Sequence, residues 1–194
     1  MLFRSVAGVL LADSATVDDD IFNTLEAPVY QQSASLPVRI KNIEKFLELE
    51  DEEFQETINK ILSNLHSNPN DELGRQLVVY QSDKKLYKTI IDEYEAREES
   101  FKIIKQAWGL PNVPLRVLCR DYQVMIDISK QIGIPEEEAR LLEEQWLVNS
   151  KSLLDLSPLS NFLIVKGSDH SMHLSKPEII IDESIKLLKE VRKS

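Results

Sequence analysis

KGSDHSMHLSKPE, residues 166–178, is the most informative segment of the sequence. An apolar run at 161–165 precedes it, and an amphipathic helical pattern follows it. Ser175 with Glu178 three residues later matches a capping box, which marks the start of a helix. The segment therefore predicts a buried strand, a short loop that carries His170, and a capped final helix. The residues expected on the buried side of that helix are Ile180, Ile181, Ile185, Leu188 and Val191.

Two further apolar runs have the length and composition of strands buried on both faces. The first covers 6–12 and ends at Asp13, and the second covers 113–119 and leads into Arg120 and Asp121. A long helical region separates them. The helices expected from apolar residues at helical spacing cover 38–49, 51–65, a stretch from 71, 82–108 and 135–156, with a turn at 67–70.

This inventory indicates an α/β fold with about three parallel strands and flanking helices. Residues 1–17 would hold the first strand, 18–110 a helical insertion, and 111–194 the rest of the core. Three strands are few for a parallel sheet, because most sheets have about five or six. The pattern therefore fits either a small α/β domain or the C-terminal part of a larger one.

Charge and cysteine content exclude several classes of function. Lys plus Arg number 23 and Asp plus Glu number 33, so the net charge is −10. Nucleic acids and anionic membranes select basic surfaces, so neither is expected as a partner. The single cysteine, Cys119, cannot form a disulfide within the chain or a Cys-based zinc site, and it fits a cytoplasmic, reducing location. No apolar run has the length of a membrane span.

The strand-like segments, in this order, resemble the second half of the α/β-hydrolase superfamily. VAGVLLADSA resembles the strand after the nucleophile-bearing helix, and PLRVLCRD resembles the next strand. NFLIVKGSDHSMHLSKPEIIIDESI resembles the last strand, the catalytic-histidine loop and the closing helix. The resemblance is close over this ending and patchy over 18–110, where the family inserts its cap. It implies serine-type hydrolysis of a small ester-like substrate without a cofactor.

His170 matches the general base of that family. An imidazole with a pKa near neutrality can take a proton from a hydroxyl group and return it to a leaving group. His173 falls where the family often has a different polar residue, so it is secondary. A metal site built from His170 and His173 lacks further ligands nearby and is disfavoured.

The acid that orients His170 stays open between two aspartates. A carboxylate must hold the second ring nitrogen to fix its tautomer, and the family places this acid after one of two strands. Asp13 ends the first strand and Asp121 closely follows the second. The usual acid position beyond Asp121 holds Tyr122 and Gln123, which places Asp13 slightly ahead. Asp127 is a more remote alternative.

The nucleophile is the missing component. The family carries it in G-x-S-x-G on a tight strand-to-helix turn, and the 194 residues contain no such motif. Ser168 lacks the second glycine, Ser14 and Ser129 have no matching context, and Cys119 is expected in the core. The expectation is the C-terminal part of a hydrolase, inactive alone, with residues 1–5 an artefact of an incomplete gene.

Two interpretations remain open. If the chain is part of an enzyme, aromatic residues of the insertion line an apolar substrate pocket, although most of them are expected to form the core of the cap. These aromatic residues are Tyr80, Tyr87, Tyr94, Phe101 and Trp108. The alternative is a non-catalytic helical interaction module that keeps the histidine loop by descent.

Overall fold

The structure, a computed structural model, describes residues 6–64, 72–107 and 109–192. Residues 1–5, the expected turn at 67–70 and Trp108 lie outside them. The strands are β1 (Val9–Ala12), β2 (Leu115–Cys119) and β3 (Ser160–Ile164). The α-helices are α1 (Pro28–Ser33), α2 (Leu36–Leu47), α3 (Asp51–Asn64), α4 (Glu72–Gln81), α5 (Lys84–Glu95), α6 (Arg97–Gln106), α7 (Tyr122–Gln131), α8 (Glu136–Ser152), α9 (Met172–Ser175) and α10 (Pro177–Val191). Short 3-10 helices cover Asp19–Asn23 and Leu153–Leu156.

The chain forms two compact units. The sheet unit comprises Met1–Ser33 and Phe101–Ser194, and the helical unit comprises Ala34–Ser100. The helical unit is shorter than the insertion expected at 18–110, since α1 and the 3-10 helix before it group with the sheet. The chain thus leaves the sheet unit after α1 and returns within α6.

The sheet unit contains a three-stranded parallel sheet in the order β1-β2-β3. Val9 pairs with Leu115, which in turn pairs with Ser160. A small parallel sheet with flanking helices confirms the coarse α/β prediction. Because the strands are parallel, their carboxyl ends lie along one edge of the sheet, and the loops that follow them meet there.

The central strand β2 is buried along its whole length, as expected. Side chains alternate across a strand, so successive residues face opposite layers. Leu115 and Val117 pack in one cluster with Leu153, whereas Leu118 packs in another with Met172. Apolar contact on both faces explains why the β2 sequence is almost continuously hydrophobic.

The prediction that β1 is buried on both faces and that β3 is a buried strand is wrong. Ala12 is exposed at the end of β1, and Asn161 and Leu163 are exposed in β3. These strands are the outer ones of the described sheet, so each has a strand neighbour on one side alone. An apolar run predicts a strand but does not report its place in the sheet.

The predicted buried side of the last helix is also partly wrong. In α10, Ile181, Ile185 and Leu188 are 59%, 44% and 55% exposed, whereas Leu187 is 9% exposed. Gly8 lies so close to Leu187 and Val191 that an added Cβ would come within 3.2 Å of both side chains. The helix therefore turns a face centred near Leu187 toward β1. Because more than one side of this helix carries apolar residues, the sequence did not show which side would be buried.

The predicted capping box does not form. Lys176 occupies the N-cap position of α10 without a side-chain cap bond, and Ser175 is the last residue of α9. The Ser175 hydroxyl donates to Asp169 Oδ1 at 3.0 Å instead. The extra turn α9, which the sequence did not predict, separates Ser175 from the helix that it was expected to cap.

Two other helix predictions need correction. The expected helix at 82–108 is two helices, α5 and α6, which separate at Ala96. The helix α7 was not predicted, although its apolar residues Val124, Met125, Ile126 and Ile128 include pairs three and four positions apart, as in an amphipathic helix.

The helical unit has its own core. Phe54 and Ile58 are buried there, packed by Phe46 and Tyr87. The ring centroids of Phe46 and Phe54 are 4.5 Å apart, and Tyr87 meets both rings edge-on. Tyr87 thus belongs to the core of this unit, as expected for most aromatic residues of the insertion. Tyr80, in contrast, is 61% exposed.

Candidate active site

Asp13 lies at the carboxyl end of β1. Its backbone N–H donates to Leu118 O at 2.8 Å, which continues the ladder one residue past the strand. Its φ of 48° is in the left-handed region, which Asp tolerates better than most residues. This backbone turn leaves the carboxylate with 0% exposure at the carboxyl edge of the sheet.

The His170 loop follows β3 and is attached to the chain that follows β2. Val165 N–H donates to Cys119 O at 2.8 Å, and Asp121 N–H donates to Ser168 O at 3.1 Å. Gly167 has a φ of 72°, a conformation that favours glycine. These bonds hold the loop across the end of β2 and direct it toward the end of β1.

The two loops bring His170 and Asp13 together. The distance from His170 Nδ1 to Asp13 Oδ2 is 2.8 Å. An ionised carboxylate only accepts hydrogen bonds, so this contact favours the imidazole tautomer that carries its proton on Nδ1. That tautomer presents Nε2 as a proton acceptor, and the ring is 64% exposed. The pair therefore has the geometry of a general base with its orienting acid.

Three more donors hold the Asp13 carboxylate. Oδ1 accepts from Trp146 Nε1 at 2.8 Å and from the Arg120 backbone N–H at 3.2 Å. Oδ2 also accepts from Arg120 Nη1 at 3.3 Å. A buried carboxylate needs such donors, because desolvation without them would neutralise it or destabilise the fold.

Arg120 links Asp13 to a second buried acid. Its guanidinium donates to both oxygens of Glu143, at 3.0 and 2.6 Å, and stacks 3.9 Å above the Trp146 ring. Burial raises the pKa of Glu143, and the bonds and charge of Arg120 oppose this shift. Burial also acts against the charge on Arg120, but Glu143 and Asp13 outweigh it, so the pKa of the guanidinium is raised.

Asp121 has a different position and different donors. It is the N-cap of α7, where Oδ1 accepts from the Gln123 backbone N–H at 3.2 Å. Its Oδ2 accepts from the Gly167 backbone N–H at 2.9 Å. Asp121 thus holds the backbone of the histidine loop, and Asp13 is the acid in contact with the imidazole.

The residues considered as nucleophiles are poorly placed for attack. Ser168 is fully buried and donates its hydroxyl to Val165 O at 2.8 Å. Cys119 is buried, and its Sγ lies 3.7 Å from Ser150 Oγ. Burial raises the pKa of the Cys119 thiol, which favours the unreactive protonated form. Ser14 and Ser129 are half-buried, and Ser129 lies in the last turn of α7.

The remaining candidates lie on the surface. Asp127 accepts from Gln123 Nε2 at 3.1 Å on the exposed side of α7. His173 is exposed in α9. In the described part of the chain, no group of three or more His, Cys, Asp and Glu side chains is arranged to hold a metal ion.

Sequence reasoning missed Arg120, Glu143 and Trp146 as members of this site. A signal for them is present in the sequence. Glu143 and Trp146 are three residues apart, so they share one face of the helix expected at 135–156. Ala139 and Leu142 make that face apolar, and a carboxylate buried there needs a cation such as Arg120. This signal can be connected to Arg120 only when β2 and α8 are known to be neighbours.

Comparison with known proteins does not assign this site. The chain matches no protein-family model, no curated protein and no solved structure. Among residues 6–64, 72–107 and 109–192, no helix is both long enough and apolar enough to cross a membrane. The geometry of the site is therefore the basis for proposing a function.

Proposed function

We propose that this chain is the C-terminal part of an α/β-hydrolase that cleaves an ester or a similar acyl substrate. His170 is the general base and Asp13 is the acid that orients it. The observation that carries the proposal is the contact of 2.8 Å between His170 Nδ1 and the fully buried Asp13 carboxylate. It occurs where the carboxyl ends of parallel strands meet, which is where open α/β sheets place their sites.

The proposed reaction uses both nitrogens of His170. Nε2 takes the proton of a serine hydroxyl while the serine oxygen attacks the acyl carbon, and it then gives this proton to the departing alkoxide. Water releases the acyl group from the serine by the same sequence. Asp13 balances the positive charge that the imidazole carries between these steps. The serine belongs to a G-x-S-x-G turn that the 194 residues do not contain.

The helical unit, 34–100, is assigned the role of a cap in this proposal. The support is its place in the chain, since it is inserted between β1 and β2 of the sheet unit. Its separate core around Phe54 suits an insertion whose described residues form helices. The substrate is a small molecule, and the acidic net charge of −10 gives no reason to expect a nucleic acid.

Labelling with a fluorophosphonate, which reacts with activated serines, tests the proposal. Residues 1–194 alone are expected to remain unlabelled and to hydrolyse a nitrophenyl ester only at the background rate. Genomic DNA upstream of the Val6 codon is expected to encode an in-frame G-x-S-x-G. The longer polypeptide that includes it should be labelled, and His170→Ala should abolish the labelling.

Two outcomes would contradict the proposal. One is rapid ester turnover by residues 1–194 that His170→Ala abolishes, because the nucleophile would then lie within this chain. The other is an upstream reading frame without a serine elbow, which would favour the non-catalytic interaction module. His173→Ala is the matched control, since it removes an exposed histidine of the neighbouring turn and should leave labelling unchanged.

A further inference from the structure

The Asp13 carboxylate divides its contacts between two sides. Oδ1 accepts from the indole N–H of Trp146 and from the Arg120 backbone, at 2.8 and 3.2 Å. Oδ2 lies 2.8 Å from His170 Nδ1 and 3.3 Å from Arg120 Nη1. The indole donor thus holds Oδ1 and prevents rotation of the carboxylate. Such a rotation would move Oδ2 away from the imidazole.

The cluster around Asp13 contains one acid more than it has cations. Asp13 and Glu143 are acids, and Arg120 is the cation that contacts both of them. When these groups are ionised, their sum is −1, and an imidazolium at His170 brings it to zero. Glu143 takes two hydrogen bonds from the guanidinium, so Arg120 is shared between the two acids rather than paired with Asp13 alone.

Trp146 contacts the other members of the cluster as well. Arg120 stacks on one of its ring faces at 3.9 Å. The imidazole of His170 is perpendicular to the indole, at 89°, with the ring centroids 6.2 Å apart. Perpendicular aromatic pairs at this separation are favourable. Trp146 is thus the one side chain of the described cluster that adjoins the acid, the cation and the imidazole.

We propose that Trp146 is a positioning residue that holds the Asp13 carboxylate so that His170 keeps its proton on Nδ1. Its N–H binds Oδ1 and orients Oδ2 toward the imidazole, while Arg120 stacks on its ring and pairs with Glu143. This inference rests on the proposed function for its catalytic meaning. The structural claim itself, that Trp146 controls the tautomer of His170, can be tested without turnover.

The test is long-range proton–nitrogen NMR of the chain labelled with ¹⁵N-histidine. The spectra report which ring nitrogen carries the proton, and His170→Ala identifies the signals of His170. The Nδ1–H tautomer is expected to predominate in the wild-type chain. Trp146→Phe removes the donor and keeps an aromatic ring, and it should lower the ratio of the Nδ1–H to the Nε2–H tautomer about tenfold, a typical effect of a bond to a charged group.

Ser157→Ala is the matched control. It removes another hydrogen bond of the sheet unit, from Ser157 Oγ to Val113 O at 2.6 Å, and it should leave the His170 tautomer unchanged. If Trp146→Phe does not fold, 3-benzothienylalanine at position 146 keeps the indole shape and lacks the N–H donor. An unchanged tautomer ratio in a folded variant without this donor would overturn the proposal.

The outcome also separates this inference from the proposed function. A tautomer that depends on Trp146, together with an upstream frame that lacks G-x-S-x-G, supports the positioning role and rejects the hydrolase. Fluorophosphonate labelling that requires His170 supports the hydrolase. If the tautomer ratio of His170 is at the same time unchanged by loss of the indole N–H, the positioning role is rejected.

Discussion

Asp13 and Asp121 follow neighbouring strands and are both buried, yet they have different kinds of donors. Asp121 accepts from two backbone N–H groups, those of Gln123 and Gly167. Asp13 accepts from one backbone N–H, that of Arg120, but also from the side chains of Trp146 and Arg120, and it contacts the imidazole of His170. Backbone amides cannot give up their protons near neutral pH, whereas an imidazole can. The donors of each carboxylate, more than its burial, therefore separate a structural aspartate from a candidate catalytic one.

The largest expected effect comes from Asp13→Asn. Asparagine tolerates the same left-handed backbone, so the change is confined to the carboxylate. The amide weakens the bonds to Arg120 and His170, and the free energy of unfolding should fall by about 3 kcal/mol. Urea denaturation measures this loss, and NMR should show that the Nδ1–H tautomer of His170 no longer predominates.

Asp127→Ala is the control for that experiment. It removes an exposed aspartate that accepts a side-chain bond from Gln123, and it should change the free energy of unfolding by less than about 0.5 kcal/mol. Equal losses in the two variants would show that the buried position of Asp13 has no special energetic role.

Asp121→Ala should have a smaller effect than Asp13→Asn. It removes the N-cap of α7 and the bond to the Gly167 backbone, which together should cost about 2 kcal/mol of unfolding free energy. Asp83→Ala is the matched comparison, because Asp83 caps α5 through Lys85 N–H at 2.8 Å and should cost about 1 kcal/mol.

The site should respond to Asp121→Ala in a particular way. If Asp121 acts only on the loop backbone, the folded variant should keep His170 protonated on Nδ1, as NMR would report. Loss of that tautomer with Asp13 intact would mean that the assignment of the orienting acid to Asp13 alone is wrong.

The smallest effect is expected at Asp51, an exposed acid of the helical unit. Asp51 Oδ1 accepts from Lys84 Nζ at 2.9 Å, and the hydrogen bond and charge of Lys84 lower the pKa of Asp51 below that of an ordinary aspartate. A carboxyl group with a lowered pKa in the folded state stabilises the fold at pH values above its unfolded pKa. That contribution disappears as the pH falls through the folded pKa.

Asp51→Asn should therefore lower stability slightly at neutral pH and not at about pH 2. Urea denaturation at the two pH values measures the difference. Lys85→Met, on the adjacent residue of α5, serves as a control that removes a lysine without breaking this pair. A larger effect of Asp51→Asn in acid than at neutral pH would contradict the assigned sign.

Much of the site could be placed from the sequence because parallel strands impose a simple geometry. The apolar runs at 6–12 and 113–119 predicted parallel strands, and the segment around His170 predicted the loop after the third strand. Since carboxyl ends of parallel strands meet, the imidazole and an aspartate were expected at one edge. The choice between Asp13 and Asp121 could not be made in advance, because both positions satisfy that rule.

The α/β class, the three strands and the loop that carries His170 could be predicted, because hydrophobic periodicity and turn residues are local signals. Three features became known from the folded structure: which aspartate contacts the imidazole, that Trp146 and Arg120 bind this aspartate, and that α10 leaves Ile181, Ile185 and Leu188 exposed. Each of these depends on side chains far apart in the chain or on which helix face meets the sheet. Such contacts arise from packing, and no local pattern encodes them.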